Sequence, residues 1–406
     1  DWQSNRHAES TAPKSPYFSE ATTQPGTGNL VVWNTLAPRV GVVYDLLGDS
    51  KTLLKASYNR YVWQMWVDKG VQASAAGDRQ ARHTWNDLNG DRLFSPNELG
   101  VLLSASDPSK NPVRIDTNLK PIITDEISAG GTRELAANFS VSGTFHYRKD
   151  KNLTWRVNPN VTAVDYTKVV GRDPGPDGAL GTSDDGGVID FYNIAVEKRG
   201  LSPNLITTWN GFDQEFLGVE ITLYRRFANN WQFVGSYTGG VQRENYAPGT
   251  LTQIGGSGLQ TPQDVDKKNG TRIAESKPRI VKLMGSYALP RGFILSAFYQ
   301  NLSGDNFTRE VNSASAGVGT LNQGNIVALA NERSRDSYDS LNVLDFRVAY
   351  EVKLGQARSM QLVLDIFNTL NINTVTSQVL TSGSRYGQVV SFVPPRIVRC
   401  GTRFSF

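Results

Sequence analysis

Residues 87–98 read DLNGDRLFSPNE, and their oxygen donors fall at the spacing a hard divalent cation requires. Asp87, Asn89 and Asp91 stand at positions 1, 3 and 5. Leu93 offers its carbonyl at 7, Phe94 is the apolar residue at 8, Ser95 follows at 9, and Glu98 occupies position 12, where a bidentate carboxylate closes a Ca2+ loop. Ser95, Pro96 and Glu98 also form a capping box with Pro at the first helical position, which predicts a short helix over 96–104. The pattern departs at position 6, where Arg92 replaces the usual Gly and the Gly has moved to position 4 as Gly90. A calcium loop and an Asx-rich turn that merely caps a loop stand side by side as readings.

A second acidic stretch, DPGPDGALGTSDDGG over 173–187, gathers Asp173, Asp177, Asp184 and Asp185 in one Gly-rich segment. An ion would relieve their repulsion; a solvated turn cluster is the preferred alternative. Catalytic sets are lacking. His7, His83 and His146 are scattered, no HExxH or G-x-S-x-G occurs, and GGSGLQ at 255–260 is loop composition rather than a phosphate cradle. Cys400 is the lone cysteine, which excludes an internal disulfide and reads as a structural thiol. The 42 basic and 38 acidic residues are mixed along the chain with no Lys/Arg run, so the net charge of +4 does not point to nucleic acid.

The elements that must position these residues are strands. Only 39% of the 406 residues are hydrophobic, while Gly (38), Phe (17), Tyr (15) and Trp (8) outnumber Met (3), a profile for pleated surfaces and turns. Mean hydropathy is −0.37. In NFSVSGTFHYR (138–148), Phe139, Val141, Gly143, Phe145 and Tyr147 alternate with Ser140, Ser142, Thr144, His146 and Arg148, the period of a strand with one apolar and one polar side. Ten further stretches behave alike: 39–46, 51–61, 124–134, 216–227, 231–240, 278–288, 292–301, 341–352, 360–368 and 396–406. Their connections alternate in length. LLGDS, ELAAN, FANN, ALPRG and KLGQARS are tight, whereas 62–123, 149–215, 241–277, 302–340 and 369–395 are long and polar.

No stretch approaches the run of about 18 apolar residues that a spanning helix needs, but strands of about ten alternating residues cross a bilayer as a β-barrel. Short turns on one rim and long loops on the other describe such a barrel, with the turns periplasmic and the loops outside. Tyr58, Tyr61, Trp63 and Trp66 are expected at the outer interface, and Phe227, Trp231, Phe293, Phe404 and Phe406 at the inner one. The final strand places Val398, Cys400, Thr402, Phe404 and Phe406 on its apolar side and points Arg399 and Arg403 inward. In lipid every backbone polar group needs a partner, so the sheet must close.

The terminal strand, ending in Phe, resembles the assembly signal of bacterial outer-membrane proteins, carried here by Val398, Phe404 and Phe406. LAPRVGVVYDLLGDSKTLLKASYNRY (36–61), LGVEITLYRRFANNWQFVGSYT (217–238), SKPRIVKLMGSYALPRG (276–292) and LVLDIFNTLN (362–371) resemble the TonB-dependent receptors, the Oar-like group in particular. That resemblance implies a barrel of 22 strands around a plug. The expectation is therefore an all-β transmembrane antiparallel barrel, residues 1–406 being one partial domain, the C-terminal half, with about 11 strands. Opening on Asp1 without a leader, the chain is expected to be a mature or truncated product, its plug, TonB box and signal peptide lying elsewhere. The resemblance implies uptake of a scarce solute, energised by the inner-membrane TonB complex through the plug, with outer-membrane lipid and the barrel-assembly machinery as further partners. The rival reading is a surface binding or adhesion protein whose loops Ca2+ stiffens. A barrel enzyme would need a Ser/His/Asp set at the rim or lumen.

Overall fold

A computed structural model describes residues 2–6, 8–15, 17–18, 20–26, 28–65, 74–77, 79–106, 113–199, 201, 204–246, 272–355 and 358–406. Its frame is a 12-stranded antiparallel sheet. Eleven strands follow one another as a meander: β1 (Arg39–Asp45), β2 (Thr52–Val62), β3 (Ile123–Ala136), β4 (Phe139–Lys151), β5 (Phe212–Ala228), β6 (Trp231–Tyr246), β7 (Arg279–Ala288), β8 (Phe293–Leu302), β9 (Leu341–Lys353), β10 (Ser359–Phe367) and β11 (Ile397–Ser405). A short strand, Arg272–Ser276, pairs with the far end of β6, and Pro278 separates it from β7. The eleven meander strands are those that alternation predicts, whereas Arg272–Ser276 falls in the stretch 241–277 expected to be a long loop.

The tight connections have local causes. Asn229 and Asn230 take φ of +52° and +68°, as a two-residue turn that follows strand twist demands, and Asn tolerates this better than most residues. Between β1 and β2, the Asp45 carboxylate accepts the backbone N–H groups of Gly48 (3.1 Å) and Ser50 (2.7 Å).

Register then fixes the faces. Phe145 stands opposite Ala129 and Val219; Tyr237 opposite Ile221 and Val281; Leu364 opposite Val348 and Cys400. The apolar side of each strand thus meets the apolar side of the next. The other side carries Glu126, Ser128, His146, Thr222, Ser236, Lys282, Asp365 and Arg399. His146 Nδ1 lies 2.9 Å from Ser128 Oγ on this polar side.

The described strands form an open ribbon, in the order β11-β10-β9-β8-β7-β6-β5-β4-β3-β2-β1, and β1 and β11 each lack a partner on one side. Three sequence expectations need correction. The helix over 96–104 is a single 3-10 turn, Pro96–Glu98, followed by a strand, Leu99–Ser106, that pairs with Gln80–Trp85; hairpin pairing outweighs the capping box. Tyr61 shares the polar side with Thr124, its ring 4.7 Å from the Arg39 guanidinium. Trp63 likewise donates to Thr124 Oγ1 at 3.1 Å. Trp66 lies outside the described residues. Phe227, Trp231, Phe293, Phe404 and Phe406 are all exposed at the short-turn rim, as expected.

The water-excluded core sits over the long-loop rim. One cluster joins Ile189 and Phe191 to Val311, Ala316 and Ala328; a second joins Val31 and Trp33 of the first segment to Val113, Leu119 and Ile206. A third stacks Trp209 between Trp155 (3.8 Å) and Phe212 (3.7 Å). Segments from three long connections and the stretch before β1 are thereby packed together outside the sheet.

Candidate functional site

The acidic motif forms the tip of the hairpin Gln80–Trp85 and Leu99–Ser106. Asp87 accepts the N–H groups of Gly90 (2.8 Å) and Arg92 (3.1 Å), while Asp91 accepts those of Leu93 (2.6 Å) and the Asn89 amide (2.9 Å). Glu98, 1% exposed, accepts from the Trp85 indole (3.2 Å), Ser95 N–H (3.0 Å) and Leu88 N–H (3.3 Å). These donors, the indole first, hold the Glu98 carboxyl below the ordinary carboxylate range. Arg92 has φ of +60°, so it adopts the left-handed conformation that Gly supplies at position 6 of a calcium loop. The chain reaches that bend with strain rather than with Gly.

One carboxylate oxygen from each of Asp87, Asp91 and Glu98 lies within 4.8 Å of the others, the one such group among the described residues. Hard oxygens from separate positions on one tight loop suit Ca2+, and each carboxylate keeps lone pairs beyond those used above. Asn89 and the Leu93 carbonyl would complete such a set.

Trp85 connects this tip to a cleft of about 790 Å³ lined by Tyr17, Phe18, Arg79, His83, Trp85 and Phe94. The Arg79 guanidinium stacks 4.8 Å from Phe18 and donates to the carbonyls of Glu20 (2.7 Å) and Pro13. Sequence reading missed this cleft. Its walls come from residues 12–18 and 76–99, which no local pattern joins.

The second acidic stretch is arranged differently. Asp173, 7% exposed, forms a two-pronged ion pair with Arg309, which also donates to Gly175 O (3.0 Å) and Ser382 Oγ (2.7 Å). Asp177 caps Ala179 N–H at 2.8 Å. Asp184 and Asp185 accept the Thr182 hydroxyl, and that bond, with Asp177 N–H next, lowers the Asp184 carboxyl. Asp173 is thus engaged by Arg309, and the other three carboxylates by hydrogen bonds within their own turn. Arg309 ties three long connections together: 152–211, 303–340 and 368–396.

Val398, Phe404 and Phe406 stand 58%, 59% and 97% exposed, the first two on the apolar side opposite Ile366 and Met360. On the polar side Arg347 and Arg399 grip Asp365, with Nε–Oδ1 at 2.5 Å and Nη2–Oδ2 at 2.7 Å. At the long-loop end of the apolar side runs a feature that alternation alone cannot show. Arg60, Asp125, Lys149, Glu215, Arg243 and Glu275 stand opposite one another across six strands, signs alternating. Ion pairs of 2.7 Å (Arg60–Asp125), 2.9 Å (Lys149–Glu215) and 2.8 Å (Arg243–Glu275) link them. The next row toward the short turns is Tyr58, Ile127, Tyr147, Leu217 and Val241, where the charges give way to an apolar band.

Among curated proteins none matches. Among solved structures, the chain is similar to the outer membrane transporter YddB from Escherichia coli (12% identity, TM-score 0.46, 96% of this chain and 41% of that one). It is also similar to the ferric-catecholate import receptor Fiu from E. coli K12 (14%, 0.44, 96% and 37%) and to the ferripyoverdine receptor of Pseudomonas aeruginosa (11%, 0.43, 95% and 34%). The chain spans well under half the length of each. The family model described as outer membrane beta barrel domain matches residues 4–317. With that match running through more than half of its length, the chain belongs to the outer membrane beta-barrel domain family, and its place is the bacterial outer membrane.

Proposed function

We propose that this chain is the C-terminal part of the barrel of a TonB-dependent receptor of the Oar-like group. It takes up a scarce solute caught on the outer loops and passes it inward when a plug, on a separate part of the polypeptide, is pulled by the inner-membrane TonB complex. The role involves no covalent chemistry. The two open edges of the ribbon meet further strands of the same barrel, because an unpaired strand edge is not tolerated in hydrocarbon. Assembly machinery reads the strand that carries Val398, Phe404 and Phe406. The observation that carries this reading is the packed body of outer loops with the Tyr17–Trp85 cleft, a surface able to select a ligand above a lumen with a polar wall. The test is solute uptake in cells carrying the full-length gene. Loss of uptake on deleting TonB, with the barrel still in the membrane, is expected; uptake unchanged without TonB overturns the reading.

A second reading is favoured by the grouping of Asp87, Asp91 and Glu98: a surface binding or adhesion protein stiffened by Ca2+. Calcium serves either role through Trp85, since an ion that draws on Glu98 sets the indole lining the cleft. Calorimetry of the full-length protein with Ca2+ is expected to show one site that Asp87→Ala and Glu98→Ala both abolish. Flat isotherms in all three remove the ion, and with it the stiffening.

A further inference from the structure

The membrane side of the sheet holds an arginine with no carboxylate partner among the described residues. Arg225 stands opposite Phe139 and Phe233, four residues from the short turn at Asn229, on the same side as Leu223. Its guanidinium lies 3.9 Å from the Trp231 ring. Nη2 reaches Ala228 O only at 3.4 Å, and Nε, itself buried, has no hydrogen-bond partner among the described residues. At the periplasmic interface the Nη end of such a cation is matched by a lipid phosphate, which guanidinium binds through two parallel hydrogen bonds.

Beside it is an apolar hollow of about 590 Å³, within the roughly 300–1,000 Å³ that small-molecule sites occupy. Register builds it. Phe233, Gly285, Ala297 and Phe346 stand in one row across β6 to β9, so two small residues floor a gap between two phenylalanines. Tyr287 and Tyr299 close it along the strands. Phe233 is shared: it forms the hollow's wall and stands across from Arg225.

We propose that this patch holds one anionic phospholipid of the periplasmic leaflet, its phosphate on Arg225 beside Trp231 and one acyl chain in the hollow floored by Gly285 and Ala297. Charge complementarity sets the headgroup end, and the missing side-chain volume sets the chain end. The site depends on membrane placement and not on the transport reading.

Native mass spectrometry of the full-length protein, equilibrated in mild detergent with phosphatidylglycerol or phosphatidylcholine of equal chain length, tests it. The wild type is expected to retain a single phosphatidylglycerol that phosphatidylcholine and a short-chain phosphatidylglycerol fail to displace. Arg225→Gln should lower retention to the phosphatidylcholine level. Ala297→Leu, which fills the hollow, should lower retention of both lipids while the heat-modifiable gel mobility of a folded barrel persists. Arg133→Gln removes another outward arginine near the same rim but touches no hollow, and should change nothing. Equal retention by wild type and Arg225→Gln, an equal loss in Arg133→Gln, or unsaturable adducts of both lipids overturns the proposal. Should Ala297→Leu fail to fold, displacement by the short-chain lipid from the wild type overturns the acyl-chain half alone.

Discussion

Two regions of this protein treat apolar side chains in opposite ways. In the outer loops Phe191 and Val311 are fully buried, whereas on the strands Val42 (60%), Ile221 (47%) and Val398 (58%) face outward. Exposure is measured against water, and the strands do not meet water there. Loop residues cohere because water expels them, but the wall has no such drive toward lipid, which is as apolar as Leu itself. The wall is held instead by backbone ladders, and the loop body by packing. One chain therefore holds two folds with different solvents.

The two regions differ most at Phe191, which is fully buried in the loop body. Phe191→Ala should destabilise the loop body by about 3–5 kcal/mol, while Phe145→Ala on the membrane side should leave it untouched. Hydrogen exchange of 166–194 and 310–329, read beside the strands, checks this; equal protection loss in both regions would break the division. Arg309→Ala strands Asp173, 7% exposed, without its partner, and should loosen the same three connections by a comparable 3–5 kcal/mol, read by protease cleavage of the outer loops.

On the wall the logic is reversed. Ile221→Arg puts a charge into lipid and should cost about 2–4 kcal/mol near the midplane, whereas Thr222→Arg, one residue along and on the polar side, should be close to neutral. Urea titration of the barrel in vesicles separates them. Similar losses at both positions would mean that the faces are misassigned.

The hairpin tip supplies a pH test. Glu98 titrates below its unfolded value, so its contribution is fully present above about pH 4.3 and is lost as pH falls through the lower folded value. Trp85 fluorescence should hold steady from neutral pH down to that point, then change, and Glu98→Gln should remove the step.

What could be read from the sequence follows from range. The eleven meander strands were legible because alternation is local and because lipid and lumen demand opposite chemistry from neighbours; Arg272–Ser276 is too short to show it. Tyr61 was misplaced by composition: it stands three residues from Tyr58, and period two already puts them on opposite sides. The helix over 96–104 failed because a capping box is also local, and Leu99–Ser106 found a distant partner in Gln80–Trp85. The oxygen donors of Asp87, Asp91 and Glu98 were legible for the same reason of locality. The cleft, the Phe191–Val311 core and the Arg309 tie join segments far apart in sequence, where nothing local marks the partner.

The alternating row from Arg60 to Glu275 is the boundary between the two regions, and it gives the smallest effect. Each rung sits where the apolar band ends, so its charges, with side chains 16–35% exposed, stay partly open to solvent and are paired well enough to fix neighbouring strands in register. Glu215 holds Lys149 at 2.9 Å and stands opposite Arg243; Glu215→Gln leaves a neutral residue between these two cations, while Lys149 keeps Asp213 at 2.9 Å. Exposed pairs contribute about 0.2–1 kcal/mol, and salt screens them over roughly 10 Å at 0.1 M. Glu215→Gln should therefore lower the urea midpoint of the barrel slightly at low salt and not at high salt, while Glu220→Gln on the polar side should show no such salt dependence. A loss that survives high salt would place the row in the lipid rather than above it, because only a desolvated pair escapes screening, and the apolar band would then have to begin one row nearer the loops.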